Sequence, residues 1–119
     1  MKKIMISVLF FMILGVKQGV VQAADVYACE YEGYEVYVDS NSIMGYRASG
    51  QMMVHRIKFV VDGVQRHFAV GKFIYNRNHG IWYGNLFIDG NSMWQLYDYP
   101  IESDALTYGI FEAAYQYLP

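Results

Sequence analysis

The side chains in this sequence that could bind a metal ion or attack a substrate are three histidines and one cysteine: His55, His67, His79 and Cys29. In the hairpin predicted below, His55 and His67 fall on opposite faces, and neither has a second ligand at metal spacing. Glu30 and Glu32 lie next to Cys29, and their charges raise the pKa of a thiol rather than activate it as a nucleophile. We therefore predict no metal site, no cofactor and no catalytic residue.

Sequence motifs of enzymes are missing as well. Ser49 lies in the segment Gly45–Gly50, which lacks the G-x-S-x-G spacing of a nucleophile elbow. The sequence contains no P-loop, dinucleotide fingerprint or calcium loop. We expect a protein that is not an enzyme, and a small hydrolase is an alternative that the sequence leaves open.

Basic side chains are the strongest candidates for a binding surface. All six lysines and arginines after residue 23 lie between positions 47 and 77, where Asp62 is the single acid, and five acids lie on each side of this segment. Arg56, Lys58 and His67 share the outward side of the predicted hairpin, and we name this set the basic stripe. Its cations either pair with acids of the flanking strands or bind an anionic surface, such as a sulfated glycan or an acidic protein segment.

Exposed tyrosines add to this candidate site. Tyr108 and Tyr115 fall on the side of the predicted helix that faces solvent, and such rings are common at protein interfaces. The segment after residue 23 has six cations and eleven acids, so it is acidic overall. That balance argues against a nucleic acid as the partner, because phosphate binding needs a basic footprint.

The strands that carry the basic stripe are predicted from a hairpin signal. Two alternating runs, 52–61 and 64–70, flank Asp62-Gly63, a pair typical of a type I′ turn because both residues need a positive φ. The turn sets the cross-strand pairs 61–64, 60–65, 59–66, 58–67, 57–68, 56–69 and 55–70. After position 70 the apolar residues change from even to odd positions, and we predict a β-bulge at Gly71.

The same alternation predicts the rest of the sheet. Further strands are expected at 25–31, 34–38, 81–88 and 93–99, with a loop at Gly45–Gly50 and a stop at Pro100. The fold class is thus α+β, an antiparallel sheet of five to six strands with one C-terminal helix packed on a face. The residues predicted to form the core are Val36, Val38, Ile57, Phe59, Phe68, Trp82, Leu86, Trp94, Leu106 and Ile110.

The helix is expected from about Asp104 to Tyr117. Ser103 is a suitable N-cap, and Asp104 places a negative charge in the first turn, where it suits the helix dipole. At 3.6 residues per turn one apolar stripe forms, and its members are Leu106, Ile110, Ala113, Ala114 and Tyr117. Tyr108, Glu112 and Tyr115 form the opposite, solvent-facing row.

Residues 1–23 have the pattern of a secretory signal peptide. A basic start precedes an apolar run from Ile4 to Val16, and small residues lead up to Ala23. The run is shorter than the roughly 20 residues of a membrane span, and Lys17 ends it. We predict one exported domain, 24–119, located in the periplasm or outside a bacterial cell, with no transmembrane segment.

Cys29 is then the only cysteine of the exported chain, so no disulfide can form within it. Three states remain open for this side chain, namely burial as an unreactive thiol, a bridge to another chain, or lipidation.

One stretch of the sequence resembles a known family. Val36–Ile43 reads Val-Tyr-Val-Asp-Ser-Asn-Ser-Ile, and long paired strands, Trp94, a proline, a serine and a short helix follow it. This order, over Tyr34–Leu118, resembles the small exported surface-adhesin E-like proteins of Gram-negative bacteria. The resemblance implies an antiparallel sheet with a terminal helix and, for the best-known members, adhesion to host matrix proteins. Residues 117–119 contain no cysteine, although the resemblance leads us to expect one near the C-terminus.

The predicted function is that of a small exported binding module, adhesin-like, for a protein or glycan at the cell envelope or a host surface. A structural or self-associating envelope protein, such as a homodimer, is the alternative.

Overall fold

The computed structural model describes residues 24–92 and 100–119. In these ranges seven strands and one α-helix follow one another, namely β1 (Asp25–Tyr31), β2 (Tyr34–Asp39), β3 (Ile43–Tyr46), β4 (Gln51–Val61), β5 (Val64–Asn76), β6 (Ile81–Ile88), β7 (Asn91–Ser92) and α1 (Ala105–Tyr115). Short 3₁₀ turns, Ser40–Ser42 and Ile101–Ser103, precede β3 and α1. The predicted signal peptide, the predicted strand 93–99 and the predicted core residue Trp94 lie outside the described residues.

All strands form one antiparallel sheet in the order β1-β2-β4-β5-β6-β7, with β3 paired to the first half of β4. The long strand β4 therefore has two partners along one edge, β3 over Gln51–Val54 and β2 over Ile57–Val60. The α+β fold class is confirmed. The predicted loop at Gly45–Gly50 is wrong at its start, because Ile43–Tyr46 pairs with β4 as a strand.

Three hairpins of the sheet each have a two-residue turn between their strands. Both central residues have positive φ at 32–33, at 62–63 and at 89–90, which is the geometry of a type I′ turn. Each turn places a glycine second, where the absence of Cβ makes that φ inexpensive. The type I′ turn predicted at Asp62-Gly63 is confirmed.

The hairpin of β4 and β5 leaves the predicted register after two residue pairs. Pairs 61–64 and 60–65 form as predicted, but the next partners are 59–67, 58–68 and 57–69. Arg66 is therefore the extra residue of a β-bulge. The bulge predicted at Gly71 is wrong, and a second irregularity lies between Val54 and Ile57.

The bulge decides which side chains of β5 enter the core. From position 67 onward the odd-numbered residues face the helix, so Ala69 and Phe73 are buried. Phe68, predicted as a core residue, points away from the helix with 51% of its surface exposed. A one-residue shift moves every following side chain to the other face, which is why a single bulge overturns this part of the prediction.

The helix covers one face of the sheet. Asp104 is its N-cap, since its Oδ2 accepts hydrogen bonds from the Thr107 backbone N–H (2.9 Å) and hydroxyl (2.7 Å), and the predicted cap Ser103 ends the preceding 3₁₀ turn. Tyr117 lies beyond the helix and is half exposed, so its predicted place in the apolar stripe is wrong. The other predicted stripe residues are buried against the sheet, and the core they join includes Val36, Val38, Ile57, Phe59, Leu86, Leu106 and Ile110, with Trp82 packed against it.

Candidate functional site

Arg56 and Lys58 lie on the side of the sheet that faces away from the helix, which we name the outer face. The Lys58 ammonium contacts the Asp25 carboxylate at 3.0 Å, and only 14% of the Lys58 side chain and 1% of the Asp25 side chain are exposed. The Arg56 guanidinium contacts Asp39 at 2.8 Å. Both cations of the basic stripe are thus paired with acids of β1 and β2, the first of the two interpretations given above.

The Asp39 carboxylate is held by several donors. Burial raises the pKa of Asp39, but the hydrogen bond from Arg56, the hydrogen bond from the Asn41 backbone N–H and the nearby charges of Arg56 and Lys58 outweigh it, so that the net pKa is lowered. A carboxylate with a lowered pKa in the folded state stabilises the fold while it is ionised.

We expect Asp39→Asn to lower the free energy of unfolding at pH 7 by up to about 1 kcal/mol, because the partner Arg56 is largely exposed and screened by solvent. In the wild type this contribution is present above the unfolded pKa of about 3.9 and is lost as the pH falls through the lower folded value. Urea unfolding between pH 7 and pH 2 checks this. The gap between the two proteins should close below about pH 4, and a gap that stays constant to pH 2 contradicts the assignment.

His67 does not share the outer face with Lys58, and the predicted 58–67 pair is wrong. His67 pairs with Phe59, whose side chain lies on the helix side of the sheet, and the His67 ring contacts Tyr34 edge to face at 5.4 Å. Its Nδ1 lies 2.5 Å from Asp89 Oδ2. The backbone N–H of Phe68 and the contact with His67 together lower the pKa of the Asp89 carboxyl. His67 therefore joins the β6–β7 turn to the rest of the sheet on the face opposite to that of the other two stripe residues.

Tyr108 and Tyr115 lie on the helix and belong to different environments. Tyr108 is exposed, as predicted. Tyr115 is half-buried, because its ring stacks on Phe111 at 5.1 Å and meets the edge of Trp82 at 5.8 Å. The predicted solvent-facing position of Tyr115 is wrong. The five predicted binding residues thus form no single site, and Arg56 with Lys58 is the one pair that the fold brings together on one surface.

Sequence reasoning missed a set of apolar side chains that the outer face exposes. Along one cross-strand row, Tyr27 pairs with Tyr37, Tyr37 with Lys58, and Lys58 with Phe68. We name these four residues the aromatic row. Tyr27 is 54% exposed, close to the value for Phe68. The signal that could have found the row was the alternation of Tyr27, Tyr37 and Lys58 on their strands, but the bulge at Arg66 concealed the contribution of Phe68.

The same face is apolar at β3 as well. Met44 and Tyr46 are about 60% exposed, and their pairing through β4 to Lys72 and Ile74 of β5 places them on the side that Phe68 occupies. Four of the seven large hydrophobic residues that the described chain exposes are therefore on the outer face. Such concentration on one side is typical of a surface that contacts another molecule.

Two polar groups of the aromatic row, the Tyr37 hydroxyl and the Lys58 ammonium, are bonded within the molecule. The Tyr37 hydroxyl donates to Glu35 Oε1 at 2.9 Å, and the Tyr27 ring meets the Tyr37 ring edge to face at 5.7 Å. Burial, followed by the hydrogen bond to Glu35 and its charge, raises the pKa of Tyr37, so the phenol is neutral at physiological pH. Tyr37 and Lys58 thus present ring and aliphatic surface rather than unpaired hydrogen-bonding groups.

Cys29 faces the helix rather than the outer face. Gly109 passes directly over it, and a Cβ at position 109 would stand 3.1 Å from the Cys29 sulfur. Burial and the charge of Asp104 raise the pKa of the Cys29 thiol, which favours its protonated form at neutral pH. Within residues 24–92 and 100–119, no group of three histidine, cysteine or acidic side chains is placed to hold a metal ion.

No protein-family model, no curated protein and no solved structure matches this chain. The resemblance to surface-adhesin E-like proteins stays a prediction. Across the described parts of the chain, none of the helical segments has the length and apolar character needed to cross a membrane.

Proposed function

We propose that this protein is a small exported binding module that attaches to a protein partner at the cell envelope or at a host surface through its outer face. The observation that carries the proposal is the exposure of Tyr27 and Phe68, two large side chains on a face that the helix does not cover. The strands of a sheet lie about 4.8 Å apart, so the aromatic row, which crosses four strands, is about 14 Å long.

A protein partner agrees better with this surface than an anionic glycan does. Arg56 and Lys58 are paired with Asp39 and Asp25, and the exposed Lys72 ammonium lies over the Phe87 ring at 5.5 Å, so most of the positive charge described on this face is already engaged within the molecule. Protein interfaces are instead enriched in aromatic residues, methionine and arginine, with few unpaired charges near the centre. The exposed side chains of the outer face have this composition.

Export rests on the signal-peptide pattern of residues 1–23. Within the proposal, the domain that remains after cleavage is located in the periplasm or outside the cell, where a partner of the envelope or of a host can reach the outer face. Adhesion, as the family resemblance implies, is one activity of this kind.

The test combines capture and substitution. The purified chain beginning at Ala24 is immobilised, exposed to solubilised envelope and to host matrix proteins, and each captured protein is identified and its affinity measured. We expect Tyr27→Ser with Phe68→Ser to weaken binding at least tenfold, because central aromatic side chains contribute about 2 kcal/mol or more at interfaces. Both side chains are half exposed, so the double variant is expected to fold.

The matched control is Tyr117→Ser with Val64→Ser, which removes two large side chains of similar exposure that do not belong to the aromatic row. The control variant should bind as the wild type does. Equal losses in both double variants would remove the outer face from the proposal. Binding that persists in the Tyr27/Phe68 variant but falls steeply between 50 and 500 mM salt would identify an anionic glycan instead.

A further inference from the structure

A cleft of about 210 Å³ opens on the helix side of the molecule, away from the outer face. The start of β6, the turn Ile101–Ser103 and the exposed side of α1 form its walls. The lining side chains that matter for its chemistry are three aromatic rings and two carboxylates, namely Trp82, Tyr108, Phe111, Glu102 and Glu112. Among the described residues that line the cleft, there is no lysine, arginine or histidine.

The aromatic wall is fixed by packing. The Trp82 ring lies 5.1 Å from the Phe111 ring and 5.8 Å from the Tyr115 ring, and Phe111 packs in turn on Phe73 in the core. Trp82 is only partly buried, so part of its indole remains open to the cleft. Among aromatic side chains, tryptophan attracts a nearby cation most strongly through its ring face.

The carboxylates of Glu102 and Glu112 both affect the Tyr108 hydroxyl, which lines the cleft with them. The hydrogen bond that the Tyr108 hydroxyl donates to Glu112, together with the charges of Glu112 and then Glu102, raises the pKa of Tyr108. Both carboxylates line the cleft, and both charges act on the hydroxyl of Tyr108, which lines it as well. Two arginines of neighbouring segments bond elsewhere, since Arg47 donates to the Tyr115 carbonyl oxygen and Arg77 to the Ala48 carbonyl oxygen.

A cation–π contact is already present next to Trp82, between Arg47 and Tyr115. The Arg47 guanidinium carbon lies 4.6 Å from the centre of the Tyr115 ring. A cation over an aromatic ring is thus compatible with the local packing, and the cleft offers a stronger ring and two carboxylates without such a cation.

We propose that this cleft binds one lysine or arginine side chain of a partner polypeptide. Its volume is below the roughly 300 Å³ at which pockets for drug-sized ligands begin, so it suits a single side chain. Solvent-exposed carboxylates bind a free ammonium only weakly, and a polypeptide adds contacts along the exposed rim at Tyr108. The site is separate from the aromatic row and does not depend on the function proposed above.

Nuclear magnetic resonance of the indole N–H provides the test. A Trp94→Phe background leaves Trp82 as the single tryptophan, and its indole signal is followed while acetyl-Gly-Lys-Gly-amide or acetyl-Gly-Arg-Gly-amide is added. We expect a saturable shift with a Kd of about 1–10 mM, the range that two exposed ion-pair contacts and one cation–π contact support. Acetyl-Gly-Gln-Gly-amide, which has no charge, should leave the signal in place.

The substitutions Glu102→Gln and Glu112→Gln together should weaken binding about tenfold, because each exposed ion pair changes affinity by up to about fivefold. The matched control is Glu30→Gln with Glu32→Gln, two exposed carboxylates outside the cleft, which should leave the Kd unchanged. An equal shift with the neutral peptide, or an unchanged Kd in the Glu102/Glu112 variant, overturns the proposal. A molecular mass that rises with concentration in the wild type but not in that variant would show that a second copy of this chain fills the cleft, and would overturn the assignment to a different polypeptide.

Discussion

Lys58→Met is expected to lower the free energy of unfolding by about 3 kcal/mol, because Lys58 forms a buried ion pair. Only 1% of the side chain of its partner Asp25 is exposed, and removing one member of a buried ion pair takes away much of the stabilisation of the other charge. Methionine keeps the length of the aliphatic stem, so the loss is electrostatic rather than a loss of packing. Urea unfolding followed by circular dichroism at pH 7 measures it.

Arg56→Met is the matched control, because Arg56 makes the neighbouring ion pair on the same face but is 57% exposed. We expect this variant to lose no more than about 1 kcal/mol, since exposed pairs are screened by water. The double variant Lys58→Met with Asp25→Asn should recover part of the stability that Lys58→Met loses. Equal effects of Lys58→Met and Arg56→Met would show that burial of Asp25 does not set the strength of its contact.

This contrast has a consequence for the outer face. Lys58 stands at the centre of the aromatic row, yet its ammonium is bound to Asp25 within the molecule. Charge reversal at Lys58 would therefore destabilise the fold as well as change the binding surface. The side chains that can be changed without such a cost are Tyr27 and Phe68, and this is why the binding experiment uses them.

The strand positions could be predicted from the sequence, because alternation and turn residues are local signals. β1 and β6 were predicted with the boundaries that the structure has, and the type I′ turn at Asp62-Gly63 was correct. The bulge was predicted at the wrong residue because a bulge at either Arg66 or Gly71 would move the inward-facing side chains from even to odd positions. The apolar pattern favoured Gly71, since Phe68 and Val70 then face inward.

The position of the bulge at Arg66 agrees with the packing of β5 against the core rather than with the hairpin sequence alone. With the bulge there, small residues such as Ala69 and Gly71 lie under the core, and Gly71 leaves room for the Phe73 ring. A prediction that scores only hydrophobicity places large residues inside, whereas packing against neighbours can require small ones there. Phe68 joins the aromatic row only in this register, so the row could not be predicted without the correct position of the bulge.

The ion pairs of the site were predictable in kind but not in detail. Charge segregation indicated that acids of the flanking strands would meet cations of β4. Which acid meets which cation depends on the order β1-β2-β4, which brings Asp25 to Lys58 across 33 positions of sequence. Arg47 shows the same limit, because its contact with the C-terminal end of α1 depends on the path of the chain after β3.

Gly84→Ala is expected to lower the free energy of unfolding by about 3 kcal/mol, at the upper end of the range for adding one methyl group to a packed core. A Cβ at position 84 would stand 2.7 Å and 2.8 Å from two carbons of the Phe73 ring and 3.0 Å from the Thr107 methyl carbon. Gly84 has no positive φ, so alanine can adopt its backbone conformation and the cost is steric. Urea unfolding gives the loss directly.

The Phe73 ring is the cause to be tested, because it lies across Gly71 and Gly84 on neighbouring strands and is held from the other side by Phe111 at 5.5 Å. In a Phe73→Leu background the ring is absent, and Gly84→Ala should then cost less than about 1 kcal/mol. The difference between the two backgrounds is the coupling free energy of the two positions. A cost that is the same in both backgrounds would mean that Thr107 or the backbone, and not the Phe73 ring, requires glycine at position 84.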